Sequence, residues 1–194
     1  MKQRVSHNAV PLPPSIPQRD LRHDERFDVA EALAVRRAGP VQPVRPRIIS
    51  SAHGPIRELM LWYPPATPGA AAFREVYADL LRQLPTRTRV VLVAHPESIA
   101  DAQVLADERP SGDVDLVEAP DWLAFSVWAE DACVVVEDTG ADPVVTYLME
   151  PIEFPRYGDA LIAETVARAT PLETGQLPLM FQGGNVLIGD TFVL

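Results

Sequence analysis

A chain of 194 residues with 47% apolar side chains is long enough to bury a hydrophobic core, and it has no run of 18 apolar residues of the kind that spans a membrane as a helix. Its formal charge of −10 is unevenly spread, because the first 50 positions hold 9 of the 17 basic residues and only 5 of the 27 acidic ones. The acidic remainder repels nucleic acid and anionic lipid and favours cationic ligands, or serves solubility alone. A single cysteine, Cys133, excludes an intrachain disulfide framework and a cysteine-based zinc site.

Residues 1–54 read as a proline-rich, mobile tail that orders only by docking in a larger assembly. Pro11, Pro13, Pro14 and Pro17 form one cluster and Pro40, Pro43 and Pro46 another, a density that prevents regular helix and central strand. Between them Asp24–Arg37 has the charge order of a short helix, acidic first and basic last. Met1 to Pro17 contains no apolar stretch of signal-peptide type, so a cytoplasmic protein is expected.

Residues 55–194 read as the folded part. Ile56–Tyr63 has a strand pattern that stops at Pro64-Pro65. Gly69–Leu84 has a helical stripe through Phe73, Val76, Tyr77, Leu80, Leu81 and Leu84, closed by Pro85. Thr88–Ala94 is a valine-rich strand of buried type. A second helix is expected over Pro96–Asp107 and a short strand over Val114–Glu118.

Trp128–Glu137 starts polar and runs into a strand at Val134-Val135-Val136, with Pro143–Met149 as its hairpin partner across Thr139-Gly140. Gly158–Ala169 reads as a third helix facing inward with Leu161, Ile162, Val166 and Ala169. Short strands are expected at Pro178–Phe181, Asn185–Ile188 and Thr191–Leu194, the last two around a Gly189-Asp190 turn. The order of elements is that of an α/β chain with mixed pairing. The apolar, strand-like last four residues suggest a chain that continues.

Two segments carry candidate chemistry. In Trp128-Ala129-Glu130-Asp131 two carboxylates stand at the mouth of a strand, so one is expected to point inward and the other outward. An inward Asp131 needs a cation or hydrogen-bond donors, and a guanidinium matches a carboxylate with two parallel hydrogen bonds. The alternative is that Asp131 pairs with a neighbouring arginine or caps a turn. In Phe181-Gln182-Gly183-Gly184-Asn185 the paired glycines allow a sharp turn or a close backbone approach to a ligand, or merely an ordinary turn.

In this order and about fifty residues apart, the two segments resemble the motifs of the pentein deiminases, Trp-x-Arg-Asp and Phe/Leu-Glu-Gly-Gly-Asn/Asp. The helix-bearing stretch Phe154–Arg168 and the strand–helix–strand around Phe73–Ala94 also resemble this family, closest to agmatine and peptidyl-arginine deiminases, over about residues 56–194.

The resemblance implies an α/β-propeller of ββαβ modules, incomplete here, with about two of five modules present. It implies that Asp131 holds a substrate guanidinium, with Trp128, Glu130, Gln182, Gly183, Gly184 and Asn185 around it. The family's nucleophilic Cys and proton-transferring His would lie beyond Leu194, so the resemblance puts no catalytic residue in this chain and implies no metal and no cofactor. The function implied is part of an amidine hydrolase (deiminase) acting on agmatine, arginine or a related compound. Two departures stand against the pattern: Glu130 replaces the usual Arg, and Gln182 the usual acid. They favour the alternative of a non-catalytic binding module. Cys133 reads as a small buried hydrophobe, since none of His7, His23, His53 and His95 has a catalytic setting. The expected partner is a small guanidino compound, without nucleic acid or membrane, and the unpaired edges of an incomplete propeller predict self-association.

Overall fold

Val90 to Ala94 are completely buried, because the strand that carries them is covered on both faces and both edges. The computed structural model describes residues 42–49, 54–65, 70–110, 113–123, 125–151, 157–179, 181–186 and 188. In it β3 (Arg89–Ala94) lies between β2 (Glu58–Tyr63) and β4 (Val114–Glu118), parallel to both. A parallel strand in this setting has no solvent face, which is why its sequence is a continuous apolar run.

The crossover from β2 to β3 is α1 (Ala70–Gln83), and that from β3 to β4 is a 3-10 turn, Pro96–Ser98, followed by α2 (Ile99–Asp107). Both helices cover one face of this sheet. Tyr77, Ala78 and Leu81 of α1 and Ala102 and Leu105 of α2 pack with Leu61, Tyr63, Val90, Leu92 and Ala94. The Tyr77 hydroxyl donates to the Trp62 carbonyl at 3.0 Å, so the one polar atom of this side chain is satisfied where it is buried. The apolar stripe of α1 is narrower than its sequence suggests. Val76 is 61% exposed, and Ala78 takes its place at the sheet.

The second sheet has the order β1 (Pro46–Ile48), β5 (Val134–Asp138), β6 (Val145–Pro151), β7 (Glu173–Leu177). β5 and β6 form an antiparallel hairpin, α4 (Tyr157–Ala169) crosses over, and β7 returns parallel to β6. This is a ββαβ unit. α4 sits between the two sheets, with Leu161, Ile162, Ala163 and Val166 buried against Trp62, Val91 and Val93 of the first and Leu148 of the second. Ala169, expected on this face, is exposed. The far face of the second sheet buries Val134, Val136, Tyr147 and Met149. Among the described residues the strands form two open sheets.

Two strands are placed where the sequence does not suggest them. β1 (Pro46–Ile48) pairs antiparallel with β5 inside the segment that reads as a tail. Proline is tolerated at the first position of an edge strand. The Asp138 carboxylate accepts the Val44 and Arg45 N–H groups, each at 2.9 Å, and takes over from the ladder before Pro46. β7, Glu-Thr-Gly-Gln-Leu, has no apolar alternation, and its place is set by pairing with β6 and by the buried Gly175.

Pro178–Phe181, expected to be a strand, is not one in its described residues, and among the described residues of Asn185–Ile188 only Ile188 makes a bridge. The helix expected at Asp24–Arg37, the turn at Gly189-Asp190 and the strand at Thr191–Leu194 lie outside the described residues.

Candidate functional site

The site grows from the C-terminal end of β4. The loop that follows is stapled to the parallel sheet, since Ala119 N–H donates to the Ala94 carbonyl at 2.9 Å. His95, at the end of β3 and 5% exposed, holds the same loop. Its Nδ1 accepts the Glu97 N–H at 3.2 Å, which leaves the proton on Nε2, 3.1 Å from the Asp121 carbonyl. His95 is thus a structural tie between the end of β3 and the loop after β4. His7, His23 and His53 lie outside the described residues.

Phe125 then meets the Trp62 ring edge to face, centroids 6.1 Å apart. Val127–Ala129 form a tight turn in which Ala129 N–H donates to the Val127 carbonyl at 3.0 Å, with Trp128 at φ −87, ψ 64 in its centre.

Glu130 and Asp131 do not lie on a strand, as the sequence reading has them. Ala129–Ala132 is one helical turn, α3, and β5 starts only at Val134. The reason is packing. Ala129 and Ala132, three residues apart, both turn to the core between the sheets, and Cys133 follows them in. That spacing was the available signal for a turn. It leaves Glu130 exposed and Asp131 half-buried. Trp128 is 62% exposed.

The second motif is a 3-10 turn, Gly183–Asn185, entered from an extended Gln182 and closed by Val186 N–H to the Gly183 carbonyl at 3.0 Å. It packs directly on α3. The two motifs, about fifty residues apart in the chain, are therefore brought together in space. Gly183 is buried against the backbone of α3: a Cβ there would overlap the Glu130 carbonyl oxygen and lie 2.6 Å from that of Cys133. Gly184 faces the Asp131 carboxylate, whose Oδ1 a Cβ would strike. Only glycine permits this approach. Gln182 is half-exposed, and Asn185 is placed by its backbone in the same turn.

Cys133 is 7% exposed. Burial, reinforced by the nearby Glu150 carboxylate, pushes its thiol up to about 12. A thiol held neutral in this way is not a nucleophile at physiological pH. Among the described residues no three His, Cys, Asp or Glu side chains are grouped to hold a metal ion, and no helix is long and apolar enough to cross a membrane.

A buried carboxylate that the sequence does not advertise completes the arrangement. Asp159, in the first turn of α4 and 1% exposed, accepts the Ser126 N–H at 2.6 Å and the Ser126 hydroxyl at 2.7 Å. Neither residue belongs to a motif, and their sequence separation of 33 hides the pairing.

No protein-family model matches this chain, and no curated protein matches it. Solved structures do. The agmatine deiminase of C. jejuni superposes with a TM-score of 0.56 at 14% identity, covering 79% of this chain and 47% of its own. The agmatine deiminase of Enterococcus faecalis superposes with a TM-score of 0.51 at 14% identity, covering 73% of this chain and 40% of its own. This chain spans less than half the length of either. Over the shared span, with its parallel β2–β3–β4 sheet and its ββαβ unit, the chain has a fold similar to that of these agmatine deiminases.

Proposed function

We propose that this chain is part of an amidine hydrolase of the deiminase type, and that it supplies one wall of a site for the guanidinium of agmatine, arginine or a related compound. In this reading Asp131 accepts two hydrogen bonds from the flat cation. Trp128 offers an aromatic face beside it, and the Gly183-Gly184 turn lets backbone approach the same place. The observation that carries the reading is the contact of the Gly183–Asn185 turn with α3, which sets Gly184 against the Asp131 carboxylate. The fold shared with agmatine deiminases supports it, as does the acidic balance of the chain. In this reading the buried Cys133 thiol takes no part in the chemistry, and the 194-residue chain alone is expected to release no ureido product.

Titration calorimetry of the chain with agmatine tests the reading. Asp131→Asn keeps the shape and removes the charge. A charge-assisted hydrogen-bond pair contributes about 1.5–3 kcal/mol, so the variant binds agmatine roughly 10–100-fold more weakly. Equal affinity of the two proteins would remove Asp131 from the site.

A second reading, a binding module without catalysis, is favoured by Gln182, which is half-exposed beside the site where the deiminase motif has an acid. Gln182→Glu separates the two. An increase in agmatine affinity shows a site built for a cation, and no change shows that position 182 has left the guanidinium.

A further inference from the structure

The Trp128–Asp131 turn is held from outside its own segment. Trp128 has backbone angles outside the helical and strand ranges, at the centre of a three-residue turn. Its N–H donates to the Ser126 hydroxyl oxygen at 3.1 Å. That hydroxyl in turn gives its proton to the Asp159 carboxylate at 2.7 Å, and the Ser126 N–H gives a second hydrogen bond to the same carboxylate at 2.6 Å. The Trp128 carbonyl accepts the Asp131 N–H at 3.1 Å. A continuous path of hydrogen bonds thus runs from a buried carboxylate on α4 through Ser126 and Trp128 to the backbone of Asp131.

Burying a carboxylate at 1% exposure costs free energy that only donors can offset. Ser126 supplies a donor to each oxygen, at the short lengths of charge-assisted bonds. Displacing the Ser126 loop would take both of these donors from a carboxylate shielded from water, which favours the position the loop holds. A negative residue in the first turn of α4 also favours the helix by itself. That role needs no contact with Ser126, and it predicts a different outcome below.

We infer that Asp159 is a positioning residue, acting through Ser126 to fix the Trp128–Asp131 turn and so the direction in which Asp131 presents its carboxylate. The consequence for guanidinium binding rests on the function proposed above; the consequence for the turn does not.

Hydrogen–deuterium exchange of the 194-residue chain, with residue resolution by NMR, tests the inference. Ser126→Ala removes the link to Trp128 and leaves Asp159 its bond from the residue 126 N–H. Exchange at the Trp128 and Asp131 amides is then expected to rise by about tenfold, with the α4 amides Leu161–Val166 unchanged. Asp159→Ala is expected to release the residue 126 amide as well. Asp159→Asn, which still accepts that N–H but cannot take the hydroxyl proton through its amide nitrogen, is expected to fall between. Unchanged exchange at Trp128 and Asp131 in Ser126→Ala overturns the inference. So does a rise centred on α4 in Asp159→Asn, the sign of a residue that serves only its own helix. Agmatine titration of Ser126→Ala is the functional arm, and about tenfold weaker binding at an unchanged melting temperature is expected. Unchanged binding overturns the link from turn to ligand. Failure of the unaltered chain to bind agmatine instead overturns the proposed function, and the exchange data still decide the role of Asp159.

Discussion

Gly184 lies so close to the Asp131 carboxylate that a methyl group on its Cα would strike Oδ1, while its neighbour Gly183 is pressed against the Glu130 carbonyl oxygen of the same helical turn. The two glycines face different kinds of obstacle, one the end of a side chain and the other a backbone. That difference separates their roles.

Gly183→Ala forces backbone apart in a buried place, and overpacking of this kind costs roughly 1–3 kcal/mol. Gly184→Ala meets the end of the Asp131 side chain rather than backbone, so its cost in stability is expected to be smaller. Urea unfolding should show a lower midpoint for Gly183→Ala and little change for Gly184→Ala. Agmatine titration should show the reverse weighting, with Gly184→Ala impaired in proportion to the displacement of Asp131.

The Cys133 thiol is buried and pushed up to about 12. A disulfide reagent at neutral pH is expected to leave it unmodified in the native chain and to label it stoichiometrically in denaturant. Rapid labelling of the native chain would show an accessible thiolate and reopen Cys133 as a nucleophile.

Asp138 titrates below the ordinary aspartate value of 3.8 because the Val44 and then the Arg45 N–H groups hold its charged form, with Gly140 adding a third bond. A carboxyl depressed in the folded state contributes stability that is present above its unfolded value and is lost as pH falls through the folded value. Asp138→Asn is therefore expected to be less stable than the unaltered chain at neutral pH. The gap should close as pH is lowered from above 3.8. Urea midpoints measured along that series check it, and a gap independent of pH would mean that the charge is not what holds β1.

The Tyr77 hydroxyl is buried against the Trp62 carbonyl, and burial, with Tyr63 beside it, pushes it up to about 12. Tyr77→Phe keeps the ring and leaves a buried carbonyl without its donor, which costs about 1–3 kcal/mol. A tyrosine raised in the folded state contributes stability that is complete below the unfolded value of 10.0 and declines as pH rises toward about 12. The difference between Tyr77→Phe and the unaltered chain in thermal melts should therefore shrink above that lower value.

The parts of the fold legible in the sequence are those where burial leaves a period. The valines of β3 have no solvent face, so they form an uninterrupted run. Leu161, Ile162 and Val166 of α4 recur at helical spacing because one side of that helix is buried. β1 and β7 leave no such trace. Pro46 argues against a strand until Asp138, 92 positions later, supplies the acceptor that the segment needs, and Glu-Thr-Gly-Gln-Leu is a strand because β6 pairs with it.

At the site, motif order marked the two segments that meet. The alternation rule misled at Glu130 and Asp131, where Ala129 and Ala132 turn the backbone into a helical loop instead. Asp159 was invisible for another reason. A single acid at a helix start has a sufficient local explanation, and its partner Ser126 is joined to it only by the tertiary fold.

The seating of Gly183 on Glu130 closes a circuit of chain that contains the whole β5–β6–α4–β7 unit. The approach of Gly184 to the Asp131 carboxylate cannot exist before that unit has assembled, because one side of it is the last turn of the circuit. A ligand held by both Asp131 and the Gly183–Asn185 turn would bear on both ends of the circuit at once, and mass action would make it a clasp for the unit.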